Sequence, residues 1–325
     1  MSELDSLREA LSKIADIAGA AARTADSHGY TPPSGTEPGL CTPKALPQHL
    51  QVRAAKTATD LNPVNAPAPV AGFMPADDTL AALVADPLRI AVLTSKYWGS
   101  ARRRLTVSFM ESTPAELRTR ILSHLNAWEC GIQFVETSGT GQVRISLGAG
   151  GFWSYLGTDI LHIATNRQTM NLEGFTMRTP DSEFRRVIRH EAGHTLGFPH
   201  EHMRREIVAS IDRQKAYDYF GRTQGWSPTM VDQQVLTPLD ERSIFGTPTD
   251  QTSAMCYQLP GLITIDGRPI VGGLDINATD RAFARRIYPP VGALMQPQDQ
   301  TTTGQSYEQS YQDDAGFVFE PTLLD

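Results

Sequence analysis

Residues 190–201 read HEAGHTLGFPHE, and this stretch predicts a metal site on a helix. On an α-helix, positions i and i+4 share a face, so the spacing places His190 and His194 side by side. That separation suits two imidazole ligands of one zinc ion. Glu191 lies beside the pair, where it can reach a water molecule at the metal without binding the metal itself.

Gly197 explains how a third ligand can reach the same ion. It follows His194 by about one turn, and glycine readily takes the left-handed conformation that ends a helix and reverses the chain. His200 can then face the first two histidines. Three protein ligands leave the fourth position of zinc open, which is the pattern of a catalytic site. We therefore predict one zinc ion per chain, held by His190, His194 and His200.

The pattern H-E-x-x-H-x-x-G-x-x-H resembles the signature of the metzincin metallopeptidases, and Phe198 with Glu201 extends it to HExxHxxGFxHE, the form of the astacin-like branch. Two further matches lie downstream. The segment SAMCY at 253–257 is similar to the family's Met-turn, S-x-M-H-Y, and the segment 274–289 is similar to its C-terminal helix. Cys256 stands where the family has a histidine that is not a ligand. The resemblance covers roughly residues 88–290.

The resemblance implies a fold and several residue roles. The fold would be α+β, a metzincin-like catalytic domain of two lobes: a twisted, mostly parallel five-stranded sheet with two long helices above, and an irregular helical lobe below. Met255 would form the floor under the metal. Tyr257 would be a fifth metal ligand and a catalytic residue that stabilises the transition state; the alternative is a buried core tyrosine. Peptide substrate would lie antiparallel to an edge strand at 152–156.

The function that this resemblance implies is a zinc-dependent metalloendopeptidase with Glu191 as general base. Three alternatives stay open: a zinc hydrolase that acts on a non-peptide amide, an inactive zinc-containing module that binds proteins, and a gluzincin-type site that takes its third ligand from an acid such as Glu206. Glu201 also has two interpretations. It pairs either with the new N-terminus after activation, as the resemblance implies, or with Arg204 or Arg205.

The hydrophobic patterns along the chain predict a set of helices and strands. Helices are predicted over 3–25, 114–128, from about 182 through the histidine motif, and over 277–288. Residues 212–245 read as helix and loop by turns. Strands are predicted at 105–110, 132–135, 143–147, 152–156 and 160–163. The many prolines between 29 and 75 predict a loop-like segment there.

This pattern divides the chain into three parts: an N-terminal helix with a proline-rich pro-segment or linker over 1–75, the catalytic domain over 80–290, and an acidic, disordered tail over 291–325. Cys41 precedes the catalytic domain, and a thiolate is a good zinc ligand. It is a hypothetical ligand of a latent, zymogen state. Asp77 and Asp78 offer a carboxylate version of that hypothesis, and an incidental loop cysteine is the alternative to both.

Composition excludes several partners. The 325 residues carry a formal net charge of −7, which argues against nucleic acid as a partner because phosphate binding requires a basic surface. No run of about 18 apolar residues predicts a membrane span. Three scattered cysteines predict reduced thiols. Acidic residues interrupt the N-terminal region, so no secretory signal is recognised, and the chain is expected to be cytoplasmic as made or exported by a non-classical route. Self-cleavage of the N-terminal segment is a further expectation.

Overall fold

A computed structural model describes residues 41, 42, 44–66, 94–239 and 248–290. Five strands occur in this part of the chain: β1 (Arg103–Phe109), β2 (Ile132–Glu136), β3 (Val143–Ser146), β4 (Phe152–Ser154) and β5 (Met170–Leu172). The helices are α1 (Gln48–Leu61), α2 (Ala115–Leu125), α3 (181–195), α4 (Arg205–Ala209), α5 (Arg213–Gln224), α6 (Pro228–Val231) and α7 (Ala278–Ile287). Helix α3 contains a π-helical turn, Phe184–Ile188, and a second π-helical turn, Asp232–Leu236, follows α6.

The strands form one sheet in the order β2-β1-β3-β5-β4. All neighbours are parallel except β4, which is antiparallel to β5 and lies at one edge. Leu105 and Val107 on β1 are fully buried at alternating positions, as expected for a central strand with its core side covered. The prediction of a mostly parallel, five-stranded sheet in an α+β fold is confirmed.

One predicted strand is wrong. Residues 160–162 belong to a 3-10 turn, Gly157–His162, and Ile163 directly follows it. Gly157 turns the chain with a φ of +45°, and the Thr158 amide then donates to the Lys96 carbonyl at 3.0 Å. The fifth strand is instead β5. It escaped prediction because all three of its residues are buried and therefore show no alternation of apolar and polar side chains.

Two helices lie where the apolar spacing placed them. Helix α2 buries Leu117, Ile121 and Leu125 on one face, and a 3-10 turn, Asn126–Trp128, continues it. Helix α7 ends one residue before the predicted boundary at Tyr288. Helices α2, α3 and α7 share a large apolar cluster with the sheet, and a second apolar cluster lies among α4, α5, α6 and the residues around 256–270.

The prediction of a loop-like segment over 29–75 is wrong for residues 48–61, which form α1. The buried residues of α1 are Ala54, Ala55 and Ala58, which pack close to the 3-10 turn at 157–162. Small alanine side chains give only a weak periodic apolar signal, so the surrounding prolines led to the prediction of a loop. The predicted helix at 3–25 and the predicted tail at 291–325 lie outside the described residues. No helix in the described ranges is long and apolar enough to cross a membrane.

Candidate metal centre

His190 and His194 project from the same face of α3, with their ring centroids 4.7 Å apart. Each ring is held by a backbone carbonyl: Nδ1 of His190 lies 2.6 Å from the Ala254 oxygen, and Nδ1 of His194 lies 2.8 Å from the Phe198 oxygen. Carbonyl oxygens only accept, so both Nδ1 atoms carry the proton. The Nε2 atoms of the neutral rings therefore present lone pairs, as metal-binding imidazoles require.

His200 reaches the same point because the chain reverses at Gly197. This glycine has a φ of +97°, and the Phe198 amide donates to the Gly193 carbonyl at 2.9 Å, which closes the end of the helix. The Nε2 atom of His200 then lies 3.1 Å from that of His190 and 3.0 Å from that of His194. The structure thus brings together the three histidines that the spacing predicted.

The donor chemistry of this cluster fits zinc. Burial lowers the pKa of His190 to about 4 and the pKa values of His194 and His200 well below their usual value, so all three imidazoles are neutral at physiological pH. Three imidazole nitrogens converging on one point in an apolar setting suit a borderline-soft cation. The neighbouring acid Glu206 is exposed on α4 and is not part of this cluster, which counts against the gluzincin alternative.

Glu191 lies fully buried beside the histidines. Neither of its carboxylate oxygens has a hydrogen-bond partner within the described ranges, although buried polar groups in proteins are nearly always paired. Burial raises the pKa of Glu191 to about 8, while the nearby Cys41 thiol and Arg186 guanidinium act to lower it. An unpartnered buried carboxyl with a raised pKa is suited to proton transfer with water or substrate.

The residues at 253–257 pass directly below the histidines. Met255 packs against Gly193 of α3, and the Met255 carbonyl accepts a hydrogen bond from the Glu201 amide at 2.8 Å. Tyr257 is buried, with its ring centroid 5.9 Å from that of His190 and 4.3 Å from that of His200. Its hydroxyl has no hydrogen-bond partner among the described residues. The tyrosine therefore borders the histidine cluster, where the sequence placed it.

Asp280 fastens this turn to the last helix, and the sequence analysis missed it. Its carboxylate accepts from the Ser253 hydroxyl at 2.6 Å and from the Ala254 amide at 2.8 Å. Asp280 also forms a capping box with Asn277 at the start of α7. The spacing Asn-x-x-Asp before an apolar run was the available signal. Because the Ala254 carbonyl holds His190, Asp280 supports the position of His190 indirectly, by fixing the Ala254 backbone.

Cys41 joins the three histidines. Its sulfur and one nitrogen from each histidine all lie within 4.8 Å of one another, and all four side chains are buried. Burial raises the pKa of the Cys41 thiol well above its ordinary value. The cysteine is therefore in contact with the site in this structure. Asp77 and Asp78, the carboxylate version of the same hypothesis, lie outside the described residues.

The segment around Cys41 runs along the edge strand β4 in parallel direction. The Thr42 amide donates to the Phe152 carbonyl at 3.0 Å, and isolated bridges join Cys41 to Phe152 and Lys44 to Tyr155. A substrate peptide was expected at this edge in the antiparallel direction. Cys41, Thr42 and Lys44 therefore occupy the strand edge at which a substrate peptide was expected.

A cavity of about 300 Å³ adjoins the cluster. Glu191 and Tyr257 lie on one side of it, and Arg186, Phe220 and Leu259 contribute further walls. Glu201, next to His200, takes no part in this cavity. It pairs with Arg204 at 3.4 Å and accepts from the Asp250 amide at 3.0 Å. The structure thus contains the local ion pair that was one of the two interpretations of Glu201.

We expect Gly193→Ala to destabilise the protein by about 1–3 kcal/mol, because a Cβ there would lie 2.3 Å from the Met255 sulfur and 2.8 Å from a Trp128 ring carbon. Gly221→Ala is a matched control, since that helical glycine has only ordinary contacts and its replacement should stabilise by up to about 1 kcal/mol. Denaturant unfolding measures both. Equal stabilisation by the two substitutions would show that the helix does not press on Met255.

The fold and the site together define a metal-dependent hydrolase. It has a histidine motif on a helix, a Met-turn packed against that helix, and a mostly parallel sheet. No family model and no curated protein matches the sequence. A solved structure of myroilysin matches with 31% identity and a TM-score of 0.56, over 61% of this chain and 98% of that one. The chain belongs to the astacin-like branch of the metzincin zinc metallopeptidases.

Two further structures are similar at lower scores. A second myroilysin structure has 30% identity and a TM-score of 0.47, over 60% of this chain and 86% of that one. The hatching-enzyme zinc-protease HCE-1 from the medaka fish Oryzias latipes has 18% identity and a TM-score of 0.41, over 57% of this chain and 90% of that one.

Proposed function

We propose that this metalloprotease is a zinc endopeptidase in which His190, His194 and His200 hold one zinc ion per chain. The observation that carries the proposal is the convergence of three buried imidazole nitrogens beside an unpartnered buried carboxylate. When bound, zinc would polarise the scissile carbonyl and lower the pKa of water. The two carbonyls that hold the Nδ1 atoms of His190 and His194 orient these rings toward the ion.

Glu191 acts in this proposal as the general base. It takes a proton from the attacking water and passes that proton to the departing amine nitrogen. Burial raises the pKa of Glu191, and the positive charge of a bound zinc ion would act in the opposite direction and keep the carboxylate able to accept a proton. Tyr257 supplies a hydrogen bond to the oxygen that becomes negatively charged as the carbonyl is attacked. The absence of a hydrogen-bond partner for its hydroxyl among the described residues supports that role.

A peptide substrate would add to the edge of the sheet at β4. The Ser154 hydroxyl lies 2.9 Å from that of Thr195, so this strand is fastened to α3 next to the histidine motif. An edge strand along the site favours an extended peptide over the small, enclosed ligand that a non-peptide amidase would bind. An inactive binding module would have no use for an unpartnered acid at the position of Glu191.

We further propose that the chain is made in a latent form. In that form the Cys41 sulfur would occupy the fourth position of the zinc ion, while Cys41, Thr42 and Lys44 lie along the edge of β4. Self-cleavage or another protease would then remove the segment. Among the described residues, the contact of Cys41 with the three histidines is the observation that favours this state over an incidental loop cysteine.

The experiment that tests the function is incubation with a peptide library, with and without a zinc chelator, and with mass spectrometry of the products. The full chain is used both as made and after limited proteolysis, so that latency does not conceal activity. We expect internal cleavage of peptides that the chelator abolishes and added zinc restores. Cleavage that survives the chelator, or no cleavage after the N-terminal segment is removed, would contradict the proposal.

A further inference from the structure

His202 lies beside Tyr257 and has no role in the mechanism above. It is fully buried in a 3-10 turn, Glu201–Met203. Its ring stacks on Tyr257 with centroids 4.1 Å apart and planes inclined by 15°. The Tyr257 ring also contacts His200, at 4.3 Å with an inclination of 52°, and the rings of His200 and His202 are themselves 4.7 Å apart. The phenol therefore packs against a histidine of the cluster and a histidine outside it, and these two histidines also contact each other.

The backbone fixes the orientation of His202. Its Nε2 atom lies 2.9 Å from the carbonyl oxygen of Gln234, in the π-helical turn after α6. Since the carbonyl only accepts, Nε2 carries the proton. An imidazole held by one N–H makes a flat, rigid surface, and aromatic rings in contact stabilise each other beyond the burial of their area.

We propose that His202 is a positioning residue that holds the Tyr257 phenol beside the histidine cluster, with the Gln234 carbonyl as its anchor. The inference rests on the proposed role of Tyr257. A hydrogen-bond donor contributes most to catalysis when it is already oriented toward the atom that will become negatively charged. The stack supplies that orientation, because the Tyr257 hydroxyl makes no hydrogen bond of ordinary geometry among the described residues, and the Cys41 thiol beside it belongs to the segment that activation would remove.

Three substitutions separate positioning from simple packing. His202→Ala removes the stack, and we expect kcat to fall between about 10- and 100-fold while KM changes little. His202→Phe keeps a flat ring and loses only the bond to Gln234, so it should recover most of that loss. His162→Ala, at a half-buried histidine in the 3-10 turn of 157–162, is the control and should leave kcat unchanged.

A double-mutant cycle with Tyr257→Phe tests whether the effect of His202 on kcat depends on the Tyr257 hydroxyl. The variants are made in the full chain and assayed after the activation that the parent requires. If His202 acts through the Tyr257 hydroxyl, His202→Ala has little further effect in the Tyr257→Phe background. Equal loss in both backgrounds would overturn the inference while leaving the role of Tyr257 intact. No loss from Tyr257→Phe alone would overturn both.

A spectroscopic readout is independent of activity. Tyrosine ring protons of labelled protein are recorded by NMR, and the Tyr257 signal is identified by its absence in Tyr257→Phe. We expect the ring-current shift from the stacked imidazole to disappear in His202→Ala and to persist in His202→Phe. An unchanged Tyr257 signal in His202→Ala would overturn the inference, even if the proposed peptidase activity were confirmed.

Discussion

Glu191→Gln is expected to leave the protein folded and able to bind zinc, and to lower kcat about 1,000-fold. Glutamine has nearly the same shape as glutamate but cannot accept the proton of the attacking water. The carboxylate oxygens of Glu191 make no hydrogen bond of ordinary geometry within the described ranges, and the Cys41 thiol beside them can equally face a glutamine amide, so the replacement should leave the surrounding packing intact. The three histidines that we propose as ligands are unchanged. Loss of turnover with retained metal would therefore isolate proton transfer as the missing step.

The measurement pairs kcat on a library-derived peptide with zinc content by elemental analysis. Glu206→Gln is the matched control, because Glu206 is an exposed acid only six residues beyond His200 on α4. This control should keep both zinc and turnover. Turnover by Glu191→Gln at the parental rate would remove Glu191 from the mechanism. Loss of zinc from Glu206→Gln would instead revive the site with an acidic third ligand.

The histidine cluster was predictable because its geometry is local. The i, i+4 spacing of His190 and His194 on a helix, and a glycine at the turn before His200, follow from backbone geometry within eleven residues. Gly197 indeed has the left-handed conformation that the spacing required. Motif resemblance added Met255 and Tyr257, which lie more than 50 residues away. Their approach to the histidines depends on the tertiary fold, and only the family pattern indicated it.

Elements without a periodic pattern were not predictable. Strand β5 is buried at all three positions, and one of them is Asn171, whose amide donates to the Gly148 and Gly151 carbonyls. Neither alternation nor an apolar run distinguishes such a strand. Helix α1 was missed for the opposite reason. Its buried side chains are small, so its stability depends on close packing against other parts of the fold.

The supporting residues of the site were missed because their partners are distant in sequence. Asp280 binds Ser253 and Ala254 across more than 25 positions, and His202 binds the Gln234 carbonyl across 32. The sequence marks each only as a polar residue near a motif. Their burial and their partners, which a single sequence does not show, indicate that they hold the histidines and Tyr257 in place.

The N-terminal segment is attached to the catalytic domain by contacts that do not involve Cys41. Asn65 is fully buried, and its side chain donates to the Tyr97 carbonyl at 2.7 Å and accepts from the Tyr97 amide at 3.0 Å. Alanines of α1 pack close to the turn at 157–162, and the Thr42 amide binds the edge strand. Removing the thiol alone should therefore open the metal position without releasing the segment.

Cys41→Ala in the full chain is accordingly expected to raise peptidase activity about tenfold or more over the latent parent, yet to leave it below that of the processed enzyme. The first effect follows because a zinc-bound thiolate would exclude the water needed for catalysis. The second follows because Thr42 and Lys44 would still lie along the β4 edge. Chelator should extract zinc faster from the variant, since one of the four proposed ligands is gone. Cys130→Ala, a half-buried thiol outside the cluster, is the control. Parental activity and parental zinc extraction in Cys41→Ala would show that the cysteine is an incidental neighbour of the histidines.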